Sequence, residues 1–158
     1  MRRLLIPHSC FQRSSILIMV LLAALPHLRA EGDPVIPKLV IEPSATTTSM
    51  AKCELTVGAL ECKKQVLNGS YAIKVIPFSF KNDHGSLMLA MSDENAQKMA
   101  HGETIEFSGV ATSAKDGKTK AIKGRTKPAT GEAGAVSFVV TTEDGDLLFN
   151  SAYQVVKK

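Results

Sequence analysis

From Cys53 onward, apolar residues recur at every second position, and this alternation constrains the fold more than any other feature of the chain. Cys53, Leu55 and Val57 alternate with Lys52, Glu54 and Thr56. Tyr71, Ile73 and Val75 alternate with Ala72, Lys74 and Ile76 until Pro77 ends the run. Leu87, Leu89 and Met91 repeat the pattern, followed by Ile105 and Phe107, by Val136, Phe138 and Val140, and by Leu147, Phe149 and Tyr153. Successive side chains of a strand point to opposite faces, so these runs read as strands with one face in a core. Turn signals separate them at Asn68-Gly69, Asn82-Asp83-His84-Gly85, Asp116-Gly117 and Asp144-Gly145. An Asp-Gly pair supplies the positive φ angles of a tight hairpin, which predicts hairpins over 103–114/118–127 and 135–142/147–156.

One segment breaks the period. Ser92 stands before Asp93 and Glu94, and His101-Gly102 follow Met99-Ala100. A capping serine, acids in the first turn and a glycine stop predict a short helix over about 92–101, packed across an open end of the sheet. The expected fold is therefore mainly β: a single-domain antiparallel β-sandwich or small β-barrel with one short helix, spanning 51–158. Residues 31–50 carry Pro34, Pro37 and Pro43 and the run Ser44-Ala45-Thr46-Thr47-Thr48-Ser49. Apart from Leu39-Val40-Ile41, they read as a loose N-terminal arm.

Residues 1–30 are of another kind. Arg2, Arg3 and Arg13 precede an apolar run from Ile16 to Leu25, and Leu28-Arg29-Ala30 follows. A basic region, a short apolar region and a small residue at the cut describe a secretory signal peptide, with cleavage after Ala30. The run is too short to span a bilayer, and no later stretch is long enough to do so as a helix. The expected location is secreted or periplasmic. Of the chain's 19 basic residues, Arg2, Arg3, Arg13 and Arg29 lie in this leader, leaving 15 basic against 15 acidic residues. A neutral remainder argues against a polybasic nucleic-acid binder.

Cys10 also lies in the leader, so two cysteines remain, Cys53 and Cys62. If Val57-Gly58 is a two-residue hairpin loop, Cys53 falls opposite Cys62, where the Cα atoms lie closest, and export favours a disulfide between them. Against this, Glu54 would face Glu61, and a single long strand over 53–60 is the alternative. Two thiols with no histidine nearby make neither a redox pair nor a zinc site, and no other metal site is expected.

Lys115, Lys118, Lys120, Lys123, Arg125 and Lys127 surround the Asp116-Gly117 turn. Lys118 and Lys120 are even-numbered while Lys123, Arg125 and Lys127 are odd, so a regular strand directs the two sets to opposite faces. No aromatic residue lies between Phe107 and Phe138. The expectation is a solvated hairpin whose lysines discourage edge pairing, with no binding of nucleic acid or of another polyanion. His84 and His101 read as turn and cap residues. No G-x-S-x-G, H-E-x-x-H, phosphate-loop or calcium-loop motif occurs, so no catalytic residue and no cofactor is assigned.

The set Leu67-Asn68-Gly69-Ser70-Tyr71, Ile76-Pro77-Phe78-Ser79-Phe80-Lys81-Asn82, Ser108-Gly109 and Phe149-Asn150-Ser151-Ala152-Tyr153 resembles small exported bacterial β proteins that carry no assigned function. The resemblance covers about residues 66–155 and implies an envelope setting, with no substrate, cofactor or site residue. The leading functional expectation is an exported non-catalytic β domain, a binding or structural module of the cell envelope. A second is a small barrel holding an apolar ligand, with Phe78, Phe80, Phe107, Phe138 and Phe149 as candidate lining residues. A small hydrolase is the third.

Overall fold

The structure is a computed structural model and describes residues 35–157. The expected signal peptide, with its cut after Ala30, lies outside the described residues. The strands are β1 (Lys38–Ile41), β2 (Ser44–Thr47), β3 (Lys52–Val57), β4 (Leu60–Lys63), β5 (Val66–Ile76), β6 (Asp83–Ala90), β7 (Ile105–Ser113), β8 (Thr119–Pro128), β9 (Ala133–Thr142) and β10 (Gly145–Val156). A 3-10 turn, Ser79–Lys81, lies between β5 and β6, and helix α1 (Asp93–Ala100) lies between β6 and β7.

These ten segments amount to eight strands. The pairs Lys38↔Glu61 and Leu39↔Leu60 continue as Ser44↔Leu55 through Thr47↔Lys52 with no slip in register. Thus β1 and β2 are halves of one strand broken at Glu42-Pro43, where proline can give no ladder hydrogen bond. β3 and β4 are likewise halves of one strand. Against β5, Val57 pairs with Tyr71 and Glu61 with Asn68, so Gly58-Ala59-Leu60 face only Gly69-Ser70 and one residue is bulged. Every strand pairs antiparallel with its chain neighbours, and β1 closes the ring against β10. The fold is a closed up-and-down β-barrel, the second of the two expected architectures.

Alternation decides what the barrel wall faces. Leu55, Ile73, Leu87, Ile122, Phe138 and Phe149 point inward and are buried. Lys74, His84, Glu106, Lys123, Asn150 and Gln154 are exposed on the opposite parity. A membrane-spanning barrel has an apolar outer band and a polar interior, so this wall is the reverse of one. Among the described residues no helix is long and apolar enough to cross a membrane. Inside, glycine creates room for aromatic rings. Phe107 lies directly over Gly124, where a Cβ would come 2.2 Å from the ring, and it meets Phe138 edge-on with centroids 5.6 Å apart. Each fully buried side chain of this kind contributes roughly 1.5–3 kcal/mol.

Helix α1 follows its sequence signals. Ser92 caps it by accepting from the Asn95 N–H at 3.2 Å, and Gly102 leaves it at φ +83°. It turns Ala96 and Met99 into the core at the end of the barrel where β6 stops and β7 begins. Both hairpins predicted at Asp-Gly turns form, as β7–β8 and β9–β10.

Other expectations require correction. Residues 38–47 belong to the wall rather than to a loose arm, because the adjacent strands take up their backbone hydrogen bonds on both sides of Pro43. Val57-Gly58 is the approach to the bulge and not a hairpin loop. The real turn is Lys64-Gln65, with φ of 51° and 62°. The proposed disulfide register therefore fails: Cys53 pairs with Val75 and Thr46, Cys62 with Leu67, and both thiols are free. Asn68-Gly69 lies inside β5 rather than in a turn. The loop before β6 ends at Asn82, so His84 is an exposed strand residue opposite Ala72. Finally, β8 has a partner on each side, so its lysines protect no edge.

Candidate functional site

Three strand ends and the middle of a fourth strand meet toward the end of the barrel opposite the helix. Tyr71 projects inward from β5, Asp83 opens β6, Ser113 closes β7, and Lys120 stands second in β8. The registers Ile73↔Asp83, Gly85↔Ser113 and Thr112↔Thr119 set them side by side. They converge on one carboxylate. Tyr71 Oη donates to Asp83 Oδ2 at 2.8 Å, and Ser113 Oγ donates to Oδ1 at 2.7 Å. The His84 N–H donates to Oδ1 at 2.9 Å, and Lys120 Nζ pairs with Oδ2. Four donors come close to filling the lone pairs of a carboxylate.

The electrostatics follow from this geometry. Burial works to raise the Asp83 pKa, since its side chain is only 13% exposed. Hydrogen bonds from Lys120, Ser113 and Tyr71, together with the Lys120 charge, outweigh burial and hold the carboxyl at about 2. Burial pushes the Tyr71 phenol above its ordinary value, and the neighbouring Asp83 carboxylate pushes it further. Asp83 is thus a fixed anion and Tyr71 a fixed donor.

Beneath this cluster lies a cavity of about 20 Å³, lined by Leu55, Ile73, Leu87, Ile122, Phe138 and Val140 with Tyr71 and Lys120 at its wall. That is room for about one water molecule. Of the five phenylalanines expected to line a ligand cavity, only Phe138 does so. Phe107 and Phe149 are buried core, Phe78 is half-buried and Phe80 is 69% exposed on the 3-10 turn. At other buried positions, Thr126 Oγ1, Tyr153 Oη and Ser44 Oγ have no hydrogen-bond partner.

The remaining candidate groups stay apart. Burial raises the pKa of both Cys53 and Cys62, and the Asp93 charge adds to the rise at Cys62, which makes both poor nucleophiles. His101 caps α1 through its backbone N–H, while His84 faces outward from β6. Among the described residues no group of three His, Cys, Asp or Glu side chains could hold a metal ion. The Asp83 cluster was not found from sequence, although one signal pointed to it: Lys120 shares its parity with Ile122 and Thr126, both of which point inward. Comparison with protein-family models, with curated proteins and with solved structures finds no match to this chain.

Proposed function

We propose that this chain is an exported, non-catalytic binding module of the cell envelope or exterior, and that it works through the outer face of its barrel. The observation that carries this reading is a filled interior. The cavity has room for about one water, and the polar groups at its mouth are already spent on Asp83. Export rests on the Arg2, Arg3 and Arg13 region, the Ile16–Leu25 run and Ala30. A second reading, a barrel that takes up a small apolar ligand, is favoured by the apolar lining of that cavity.

Titration with a small apolar fluorescent probe separates the two. The wild type should show no saturable uptake, while Phe138→Ala, which removes a lining ring, should bind the probe. Saturable uptake by the wild type, reduced when Leu87 is enlarged to Phe, would replace the first reading with the second.

A further inference from the structure

The closed barrel removes the ordinary explanation for the lysines of β8. Charged residues on a strand commonly protect a sheet edge. β8, however, is paired from Thr119 to Thr126 with β7 and from Ile122 to Pro128 with β9. It sits in the middle of a continuous wall. Lys123, Arg125 and Lys127 share its outward face and are exposed. Alternate residues of a strand stand about 6.6–6.8 Å apart, so the three cations form a row about 13 Å long.

This row also makes no ion pair among the described residues. Lys52, Lys63, Lys81, Lys98, Lys118, Lys120 and Lys157 each have a carboxylate within 4.0 Å. Among the described residues no carboxylate pairs with Lys123, Arg125 or Lys127, even though Glu106 is directly across from Arg125. The other cross-strand neighbours are small or uncharged: Ser108 and Val139 beside Lys123, Ser137 beside Arg125, and Ala135 beside Lys127. Three like charges therefore stand along one face above low neighbours, with Glu106 the one acid across the strand, an arrangement that a bound polyanion relieves.

We propose that this row is a docking strip for a linear anionic polysaccharide of sulfated or phosphorylated sugars. The inference rests on the reading that the outer face is the working surface. A polysaccharide fits better than a nucleic acid because the outward residues of β7, β8 and β9 include no aromatic platform on which a base could stack; Phe107 and Phe138 point inward. The chain beyond the leader is formally neutral, so attraction must come from this local row rather than from net charge.

The test titrates a heparin oligosaccharide against three forms of the protein, with a single-stranded DNA oligomer in parallel. One variant carries Lys123→Ser, Arg125→Ser and Lys127→Ser. The other removes the same charge elsewhere through Lys38→Ser, Lys64→Asn and Lys74→Ser. Circular dichroism and thermal melting establish that both are folded. The wild type and the second variant should bind the oligosaccharide at low salt, and the first should lose at least about tenfold in affinity. With three contacts, wild-type affinity should fall roughly twenty- to forty-fold between 50 and 200 mM salt. Absence of wild-type binding, equal loss in both variants, or DNA bound as tightly as the oligosaccharide would each overturn the proposal. None of these outcomes would touch the reading of the outer face as the working surface, which fails only on apolar-probe uptake by the interior.

Discussion

Asp83 is the residue through which acid should reach the barrel. Its folded pKa lies below the ordinary value of 3.8, so the ionised carboxylate contributes stability that is fully present above about pH 4 and is lost as pH falls through about 2. A shift of that size corresponds to about 2 kcal/mol. Asp83→Asn should therefore cost about 2 kcal/mol in urea unfolding at pH 7, and the difference from wild type should shrink steadily between pH 4 and 2. Two unfolding curves that stay parallel down to pH 2 would show that the cluster is not coupled to folding. Tyr71 gives the opposite sign. Its folded pKa is raised, so its contribution is complete below the ordinary phenol value of 10.0 and is lost as pH rises beyond it. Burial raises Tyr153 as well, and the chain has 2 tyrosines and no tryptophan. An absorbance titration of the folded protein should then show less tyrosinate at pH 10 than the urea-unfolded chain, which should be about half ionised there.

Each strand was legible where the alternation ran uninterrupted, and it was misread where a single residue broke the count. Val57-Gly58 resembles a turn because glycine does supply turns, yet here it leads into a bulge within one strand. The consequence falls on the cysteines. Cys53 and Cys62 stand nine positions apart along that strand, about 30 Å if fully extended, far beyond the roughly 7 Å limit between Cα atoms for a disulfide. Mass spectrometry under non-reducing conditions should find both thiols free. An alkylating agent should label half-buried Cys62 before buried Cys53, and simultaneous labelling would mean that the strand opens as a unit. The true hairpin was invisible because Lys64 and Gln65 take positive φ without glycine or asparagine to announce it. That strain is removable. Replacing the pair with Asn-Gly should raise stability by about 1 kcal/mol, read as a higher melting temperature, and a neutral or negative change would mean that the two side chains compensate for their backbone. The Asp83 cluster escaped notice for a different reason: its four members come from four successive strands, and only the pairing registers of those strands set them side by side.

Closure is the property no local pattern could announce, because it depends on the first and last strands meeting. β1 pairs with β10 from Lys38↔Val156 to Ile41↔Tyr153, and the Glu42 N–H extends the contact by donating to Ala152 O at 2.9 Å. Every other ladder of the ring joins strands that follow one another in the chain, so this is the one seam without a covalent turn. If the seam is an ordinary antiparallel pairing, it should tolerate a covalent turn while another seam gives up its own. The loop between β7 and β8 is suited to that exchange, since it is a short exposed turn around Asp116-Gly117. A circular permutant that begins at Lys118, joins Lys157 to Val35 through a short Gly/Ser linker and ends at Gly117 keeps every described strand intact. It should fold to the same circular-dichroism spectrum and lose no more than about 2 kcal/mol, because moving a short connection changes closure entropy only slightly. Aggregation of the permutant would instead identify the β7–β8 hairpin as a connection the barrel needs in order to close, and would place closure of the ring after formation of that hairpin. The two outcomes differ in what they say of the wall: a ring of equivalent seams, or a sheet that must grow outward from one hairpin before its edges can meet.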